Sequence, residues 1–476
     1  MRSPTLLRPR LALALGLALA AGSAGAADLM TVYQQARLSD PQLQAAESAR
    51  LAAGEGVVQA RASLLPQLSG QASVNDSEGR STSVGTFPTE SGGVQFGQVT
   101  GSSDTRRRDY SINLRQSIYD HQTYTRLRGA RADDSRFAAD YEAALDSLFI
   151  RVATAYFDAL TATTNLDAAR AEETAVGRQL EQAEQRFEVG LTAITDVHEA
   201  RARFDSARAN VILAQNQLDD AYEALSELTG EPVDILKALD AEIPMALPEP
   251  NDPEQWVQVA LEQSPALASR RFAVDAAEQA VQTAKAGHYP TLALQAGYSD
   301  DKNWGTRTSR AVVFPADGTS DGSSISLVLD VPIFAGFATQ SAVRQSVHNR
   351  DAAGDRFEQE RRAVTRAVRS AYRAVVAGMS EIEARKQALV SAQSALEATQ
   401  AGFEVGTRTI VDVLLSQQQL FAAQREFARA RHTFIVAGLR LKQAAGVIDV
   451  ADFETVNGLL TEVVPAAESG ASQPQG

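Results

Sequence analysis

Cysteine is absent from the 476 residues, which excludes a disulfide framework, thiolate metal sites, cysteine-ligated clusters and a cysteine nucleophile. The lack is compatible with an oxidising compartment without pointing to one. Aromatic residues make up only 6%, and no apolar run of 18 residues follows the N-terminal segment, so a polytopic helical membrane protein is excluded. Cations are also in deficit. Lys and Arg number 45 against 59 Asp and Glu, and the resulting surface repels the phosphate backbones that a nucleic-acid-binding face must gather. No HExxH, phosphate loop, dinucleotide fingerprint or GxSxG element is present. His121, His198, His288, His348 and His432 show no metal-ligand spacing. No cofactor or metal is expected, and the chain does not read as an enzyme.

What is present starts with an address. Arg2, Arg8 and Arg10 precede the apolar run Leu11 to Ala21, followed by small residues up to Ala26. This is the pattern of a secretory signal peptide over residues 1–26, too short to cross a bilayer as an anchor. Its removal takes three arginines and no acid, moving the formal charge from -14 to -17. The mature chain is then either a soluble exported protein or a membrane β-barrel, whose spans hide in short alternating strands.

The chain is also written twice. Arg186-Phe187-Glu188-Val189-Gly190-Leu191-Thr192-Ala193-Ile194-Thr195-Asp196-Val197 resembles Gly402-Phe403-Glu404-Val405-Gly406-Thr407-Arg408-Thr409-Ile410-Val411-Asp412-Val413 at an offset of 216. Tyr156 and Tyr372 share that offset, as do Gly230 and Gly446, whereas Pro41 with Pro265 and Pro66 with Pro290 are 224 apart. Matches in the same order over so long a stretch are the mark of an internal repeat.

Each copy passes through the same sequence of periodicities. A helix-like segment (Gln42 to Leu65, Ala266 to Tyr289) ends at a proline, which cannot continue it. Alternation of period two follows: Leu68, Gly70, Ala72 and Val74, then Tyr110, Ile112, Leu114, Gln116 and Ile118. In the second copy Leu292, Leu294, Ala296 and Tyr298 are answered by Ile325, Leu327, Leu329 and Val331. The expectation is two hairpins of strands about 10 residues long, the length of a tilted transmembrane strand. Each would carry a large polar tip, near residues 76–109 and 299–324. Tyr119, Tyr289, Phe334 and Phe337 flank the strand ends away from those tips and are candidate interface anchors. Arg106-Arg107-Arg108 reads as an outer rim meeting anionic headgroups or as solvated loop charge.

Proline-free stretches follow, about 123–189 and 338–405, rich in Ala, Glu, Gln and Arg. At about 1.5 Å per residue each would make a helix of about 100 Å, too long for an ordinary globule. Returning helices of about 40 residues, ending near Gly230 and Gly446, complete each copy. The division expected is a first structural repeat over 27–230 with its hairpin at about 67–119, and a linker and equatorial region over 231–264. A second repeat follows over 265–446 with its hairpin at about 291–333, then an equatorial and disordered tail over 447–476.

Four membrane strands cannot close a barrel, and an open edge in lipid leaves backbone groups unpaired. Two chains would supply eight strands and three would supply twelve; an eight-stranded barrel fills with side chains, so a passage favours three.

This arrangement resembles the TolC family of outer-membrane channel-tunnels that serve drug efflux and type I secretion. The most specific piece is Val405-Gly406-Thr407-Arg408-Thr409-Ile410-Val411-Asp412-Val413-Leu414, with Val189-Gly190-Leu191 and Asp196-Val197 as its first-copy counterpart. The resemblance implies a mixed α/β membrane protein, a trimeric 12-stranded barrel with four strands per chain continued by a long periplasmic α-helical barrel. It implies location in the outer membrane of a Gram-negative bacterium, with outer-membrane lipid around the barrel. The partners implied are two further copies in a homotrimer, a periplasmic membrane-fusion adaptor, and an inner-membrane efflux pump or ABC transporter. The function implied is a passive exit duct. The alternative from another class is a noncatalytic periplasmic coiled-coil scaffold with soluble hairpins.

Site residues follow from the same resemblance. Asp412 looks like an acid of the entrance ring, which would favour cations; the residue-level alternative is an i,i+4 pair with Arg408. A second entrance acid is usual one turn on, where this chain has Leu415. Asp196, Arg408 and Phe403 match a clasp that closes the tip, with Phe403 in place of the usual tyrosine and one hydrogen-bond donor fewer. Gly190, Leu191, Gly406 and Thr407 resemble adaptor-docking positions, and the glycines are also simple helix breakers.

Overall fold

In the computed structural model, residues 26–88, 90–233, 235–309 and 312–461 are described; the expected signal peptide and the end of the C-terminal tail lie outside them, apart from Ala26. Helices α1 (Leu29–Ser39) and α2 (Pro41–Ala62) lead into strands β1 (Gln67–Pro88) and β2 (Val94–Tyr119). The long helix α3 (His121–Glu188) and its return α4 (Ile194–Thr229) follow, then the short β3 (Ala238–Leu239). The second copy repeats the order with α5 (Pro253–Gln263), α6 (Pro265–Ala286), β4 (Thr291–Ser309), β5 (Val312–Pro315), β6 (Gly318–Asp330), α7 (Ala338–Glu404) and α8 (Ile410–Ala445). The chain closes with α9 (Val450–Asn457) and β7 (Leu460–Thr461).

Two compact units emerge, each drawing on both repeats. One contains residues 48–139 and 268–359, the other the remainder. In the first, β1, β2, β4 and β6 form an antiparallel sheet in that order, and β5 extends the edge of β4 beyond β6. The register sorts the side chains into two unlike faces. Leu68, Leu114, Ala296 and Ile325 lie on one rung, Gly70, Ile112, Tyr298 and Ser323 on the next but one, with Leu294 and Leu327 below. On the opposite face the rungs read Ser69, Asn113, Gly297 and Ser324, then Gln71, Ser111, Ser299 and Gly322. The apolar face is left bare: Leu68 is 71% exposed and Ile325 78%. A soluble sheet would bury such a face against a second layer.

The polar tips expected from sequence are a correction. β1 and β2 pair without interruption from Gln67 opposite Arg115 to Pro88 opposite Val94, so most of 76–109 is strand. Residues 299–309 and 318–324 are likewise strand. At about 3.3 Å per residue, the 22 residues of β1 run to about 70 Å, far beyond hydrocarbon thickness. Past the apolar rungs both faces turn to Ser, Thr, Asp and Arg, held by the ladder and a few cross-strand ion pairs, before Val84, Val94, Phe96, Val312 and Phe314 reappear, exposed, towards the far ends. Arg106 to Asp76 at 3.0 Å and Arg107 to Asp301 at 2.6 Å are two of these ion pairs.

The other unit is helical, with its core where α1, α5 and α9 pack on α3 and α8. Tyr33 stacks on Phe149 with centroids 4.5 Å apart, and Phe453 meets Phe149 at 4.8 Å. Tyr156, fully buried on α3, donates its hydroxyl to the carbonyl oxygens of Ala27 and Lys237. Asp40, 2% exposed, receives a bidentate fork from Arg151 at 2.9 and 2.6 Å while capping α2 through the Leu43 amide. The Arg151 fork is the main reason its carboxyl lies below the usual carboxylate range, against the opposing effect of burial. Gly446 ends α8 at φ 71°, so close to Ser264 that a Cβ would stand 2.7 Å from the Ser264 Cα. These segments, with the β3–β7 ladder, form a collar on the long helices.

Candidate functional site

The reversals between the long helices and their returns are built alike in both copies. Gly190 has φ 76° and Gly406 φ 80°, the left-handed conformation that ends a helix. In the first, the Gly190 amide donates to the Phe187 carbonyl and the Leu191 amide to the Arg186 carbonyl. In the second, Gly406 donates to Phe403 and Thr407 to Gly402. Both are Schellman closures, and they explain why a Val-Gly dipeptide stands at each. Leu191 and Val405 are left 76% and 75% exposed.

The helices that leave these turns start differently. Thr409 caps α8 in a reciprocal box: its hydroxyl accepts from the Asp412 amide at 3.3 Å, and the Asp412 carboxylate accepts from the Thr409 amide at 2.9 Å. The backbone bond from Thr409 is the first reason the Asp412 carboxyl is held below its ordinary value, with Arg408 adding attraction. Asp412 thus stays ionised at the exposed start of α8. In the first copy Ala193 occupies the cap and offers no side chain, and Asp196 accepts instead from the Thr192 hydroxyl.

Within one chain the proposed clasp residues have other partners. Asp196 binds Thr192, and the Arg408 amide donates to the Gly402 carbonyl. Phe403 lies under the Arg186 guanidinium, 4.6 Å from its ring centroid, a cation–π contact between the two repeats that the sequence reading missed. Beside it Val176, Ala183, Val197, Ala200, Ile410 and Leu414 form a small buried cluster uniting the two reversals. Leu415 is exposed about one turn beyond Asp412, and Glu199 is exposed on α4.

In the sheet unit, the aromatic candidates gather at the helix-side ends of the strands. Tyr119 closes β2, and Tyr289 precedes β4 with its ring 5.4 Å from that of His121. Phe334 and Phe337 follow β6 and meet edge to face at 5.5 Å. All four are exposed. No cluster of His, Asp or Glu able to hold a metal occurs among the described residues.

Two segments of the chain, residues 32–231 and 256–447, match the outer membrane efflux protein family, the second beginning within α5 rather than at residue 265. The chain belongs to that family. It is 37% identical to the outer membrane protein TolC of Vibrio cholerae over 91% of this chain and 93% of that one. To the alkaline protease secretion protein AprF of Pseudomonas aeruginosa it is 30% identical, over 90% and 86% of the two chains. The fold matches that of the outer membrane protein VceC from Vibrio cholerae at a TM-score of 0.69, over 88% of this chain and 96% of that one, at 19% identity. Four sheet strands and long paired helices in one chain are thus the architecture of this family.

Proposed function

We propose that this chain forms the outer-membrane exit duct of an efflux or secretion machine, three copies joining their sheets into one twelve-stranded barrel. The observation that carries the reading is the two-faced sheet, bare and apolar on one side and lined with Ser, Gln, Asn and Gly on the other. Such a sheet satisfies lipid and water at once only as a barrel wall. Within the chain β1 stands at one edge and β6 with β5 at the other. Joining one edge to the next copy's opposite edge pairs the backbone groups that lipid cannot solvate. Tyr119, Tyr289, Phe334 and Phe337 then serve as the aromatic girdle at the periplasmic interface.

The helices form the periplasmic conduit and their reversals its entrance. Asp412 supplies one carboxylate per copy to an entrance ring, with Leu415 in place of a second acid. Arg408 reaches Asp196 of a neighbouring copy to close the entrance, while Phe403 is held within its own chain by Arg186. Gly190, Leu191, Gly406 and Thr407 present the exposed reversals to a periplasmic adaptor hairpin, and an inner-membrane pump supplies the energy. A family named for efflux and a relative named for protease secretion fit a passive duct whose cargo is chosen by the pump behind it.

The test is extraction followed by planar-bilayer recording and adaptor crosslinking. The proposal expects release from membranes only by detergent, discrete ion conductance, and crosslinks at positions flanking Gly190 and Gly406. A fully water-soluble monomer without conductance would favour a periplasmic scaffold.

A further inference from the structure

A groove of about 640 Å³ opens between α3, α7 and α8 in the helical unit, and no role in closure or adaptor docking accounts for it. Its apolar surface is the row Ala367, Ala371 and Ala374 of α7, with Phe157 and Val436 buried beneath. Its walls carry Arg429, Arg440 and Asp158. Among the described residues Arg440 hydrogen-bonds to the Thr154 hydroxyl alone, at 3.4 Å, and Arg429 makes no hydrogen bond or ion pair. Asp158 feels both arginines across the groove. His432, on the floor, shares a 2.7 Å hydrogen bond with Thr161, and burial holds its imidazole neutral, its pKa pushed down to about 4. Two guanidiniums against one carboxylate leave an unbalanced positive charge over an apolar bed.

The direction in which the groove opens follows from helical phase. At 3.6 residues per turn, residues two apart point about 160° from one another. On α3 the groove takes Thr154 and Asp158, whereas Tyr156, which binds the collar carbonyls, points the other way. On α7 it takes Ala367 and Ala371, whereas Arg369 and Tyr372 reach the collar residues Glu254 and Asn251. On α8 it takes Arg429 and Arg440, whereas Arg431 and Lys442 bond to Asp240 and Asp452 of the collar. Three helices agree: the collar covers one side of the wall and the groove opens on the other.

We propose that this groove is a bore-facing subsite for amphiphilic organic anions, a sulfonate or carboxylate meeting Arg429 and Arg440 while the apolar body lies along Ala367, Ala371 and Ala374. The inference rests on the duct reading, in which a collar outside the wall puts the opposite side in the bore. The size suits a molecule of a few fused rings, within the usual range of small-molecule sites. Each guanidinium offers planar paired donors to such an anion, and the neutral His432 adds no competing charge. Weak retention in this position would concentrate anionic cargo in the passage without trapping it.

The probe is naphthalene-2-sulfonate, with naphthalen-2-ylmethylammonium as its cationic counterpart. Calorimetry on the detergent-extracted full-length protein should show saturable binding of the sulfonate and none of the cation. The double variant Arg429→Gln/Arg440→Gln, both at exposed positions, should weaken the sulfonate about tenfold or more. Ala371→Phe should abolish binding by filling the groove with both arginines intact. In single-channel recordings the sulfonate should interrupt the current of the parent protein and not of either variant. Unchanged affinity in both variants, or equal binding of the cation, would overturn the proposal. So would variant-sensitive binding with no current interruption, because the groove would then lie off the bore while the conductance itself upheld the duct. A parent protein with no conductance at all would strike the duct reading and with it the bore-facing assignment.

Discussion

The collar and the helix reversals are built on the same four helices and are opposite in character. At the collar α3 buries Phe149 and Tyr156, α8 ends against Ser264 at contact distance, and a buried carboxylate is held by a bidentate fork. At the reversals the closing bonds are local to each turn, one small apolar cluster joins the two copies, and Val189, Leu191 and Val405 face solvent. Stability is therefore concentrated away from the reversals. The reversals are held by contacts worth little individually, which fits the proposal that they open and receive an adaptor.

Substitutions should reveal this contrast in order of size. Phe453→Ala removes a fully buried ring from the collar trio and should cost about 3–5 kcal/mol, read as a large fall in the unfolding midpoint of the extracted protein. Arg151→Met leaves the Asp40 carboxylate buried without its fork and should cost about 3 kcal/mol, partly recovered when Asp40→Ala is added.

His432 gives the contrast a pH signature. Its folded pKa of about 4 lies below the unfolded value, so between about 6.5 and 4 the unfolded chain takes up a proton that the folded chain refuses. Stability from this group is present above that window and is lost as the pH falls through it, by up to about 3 kcal/mol. In His432→Gln the slope across the window should flatten in melts recorded from pH 7 to 4.

At the reversals the effects on stability should be small. Thr409→Ala removes half the capping box and should cost about 1 kcal/mol or less, scarcely moving the global melt. Asp412→Asn should leave the melt almost unchanged and reduce cation preference, measured as reversal potential under a salt gradient. A melt that fell as far for Thr409→Ala as for Phe453→Ala would erase the distinction between the two regions.

Much of this was legible in the sequence where a physical constraint acted on single positions. Lipid forces Leu68, Ile112, Leu294 and Ile325 onto one face, and period two betrays them. Above the apolar rungs no such constraint applies, so Ser77, Thr105 and their neighbours looked like loop although they continue the ladder. The reversals announced themselves through Gly190 and Gly406, since few other residues accept a positive φ. The partner of Phe403 did not, because Arg186 comes from the other repeat and nothing local links them. The groove beneath Arg429 and Arg440 was illegible for the same reason: three helices build it, and the phase that exposes it is read only against the collar. Thr409 and Asp412 show a different limit. Their spacing is that of a capping box, yet the acid was read only for its charge; the structure shows it in the cap, and its charge at an entrance ring is part of the proposal.

The most direct test of the central claim is the native mass of the detergent-extracted complex. The account predicts a mass of three chains, because one sheet has two open edges and three sheets close. A folded monomer, stable in detergent with its bare apolar face intact, would contradict it.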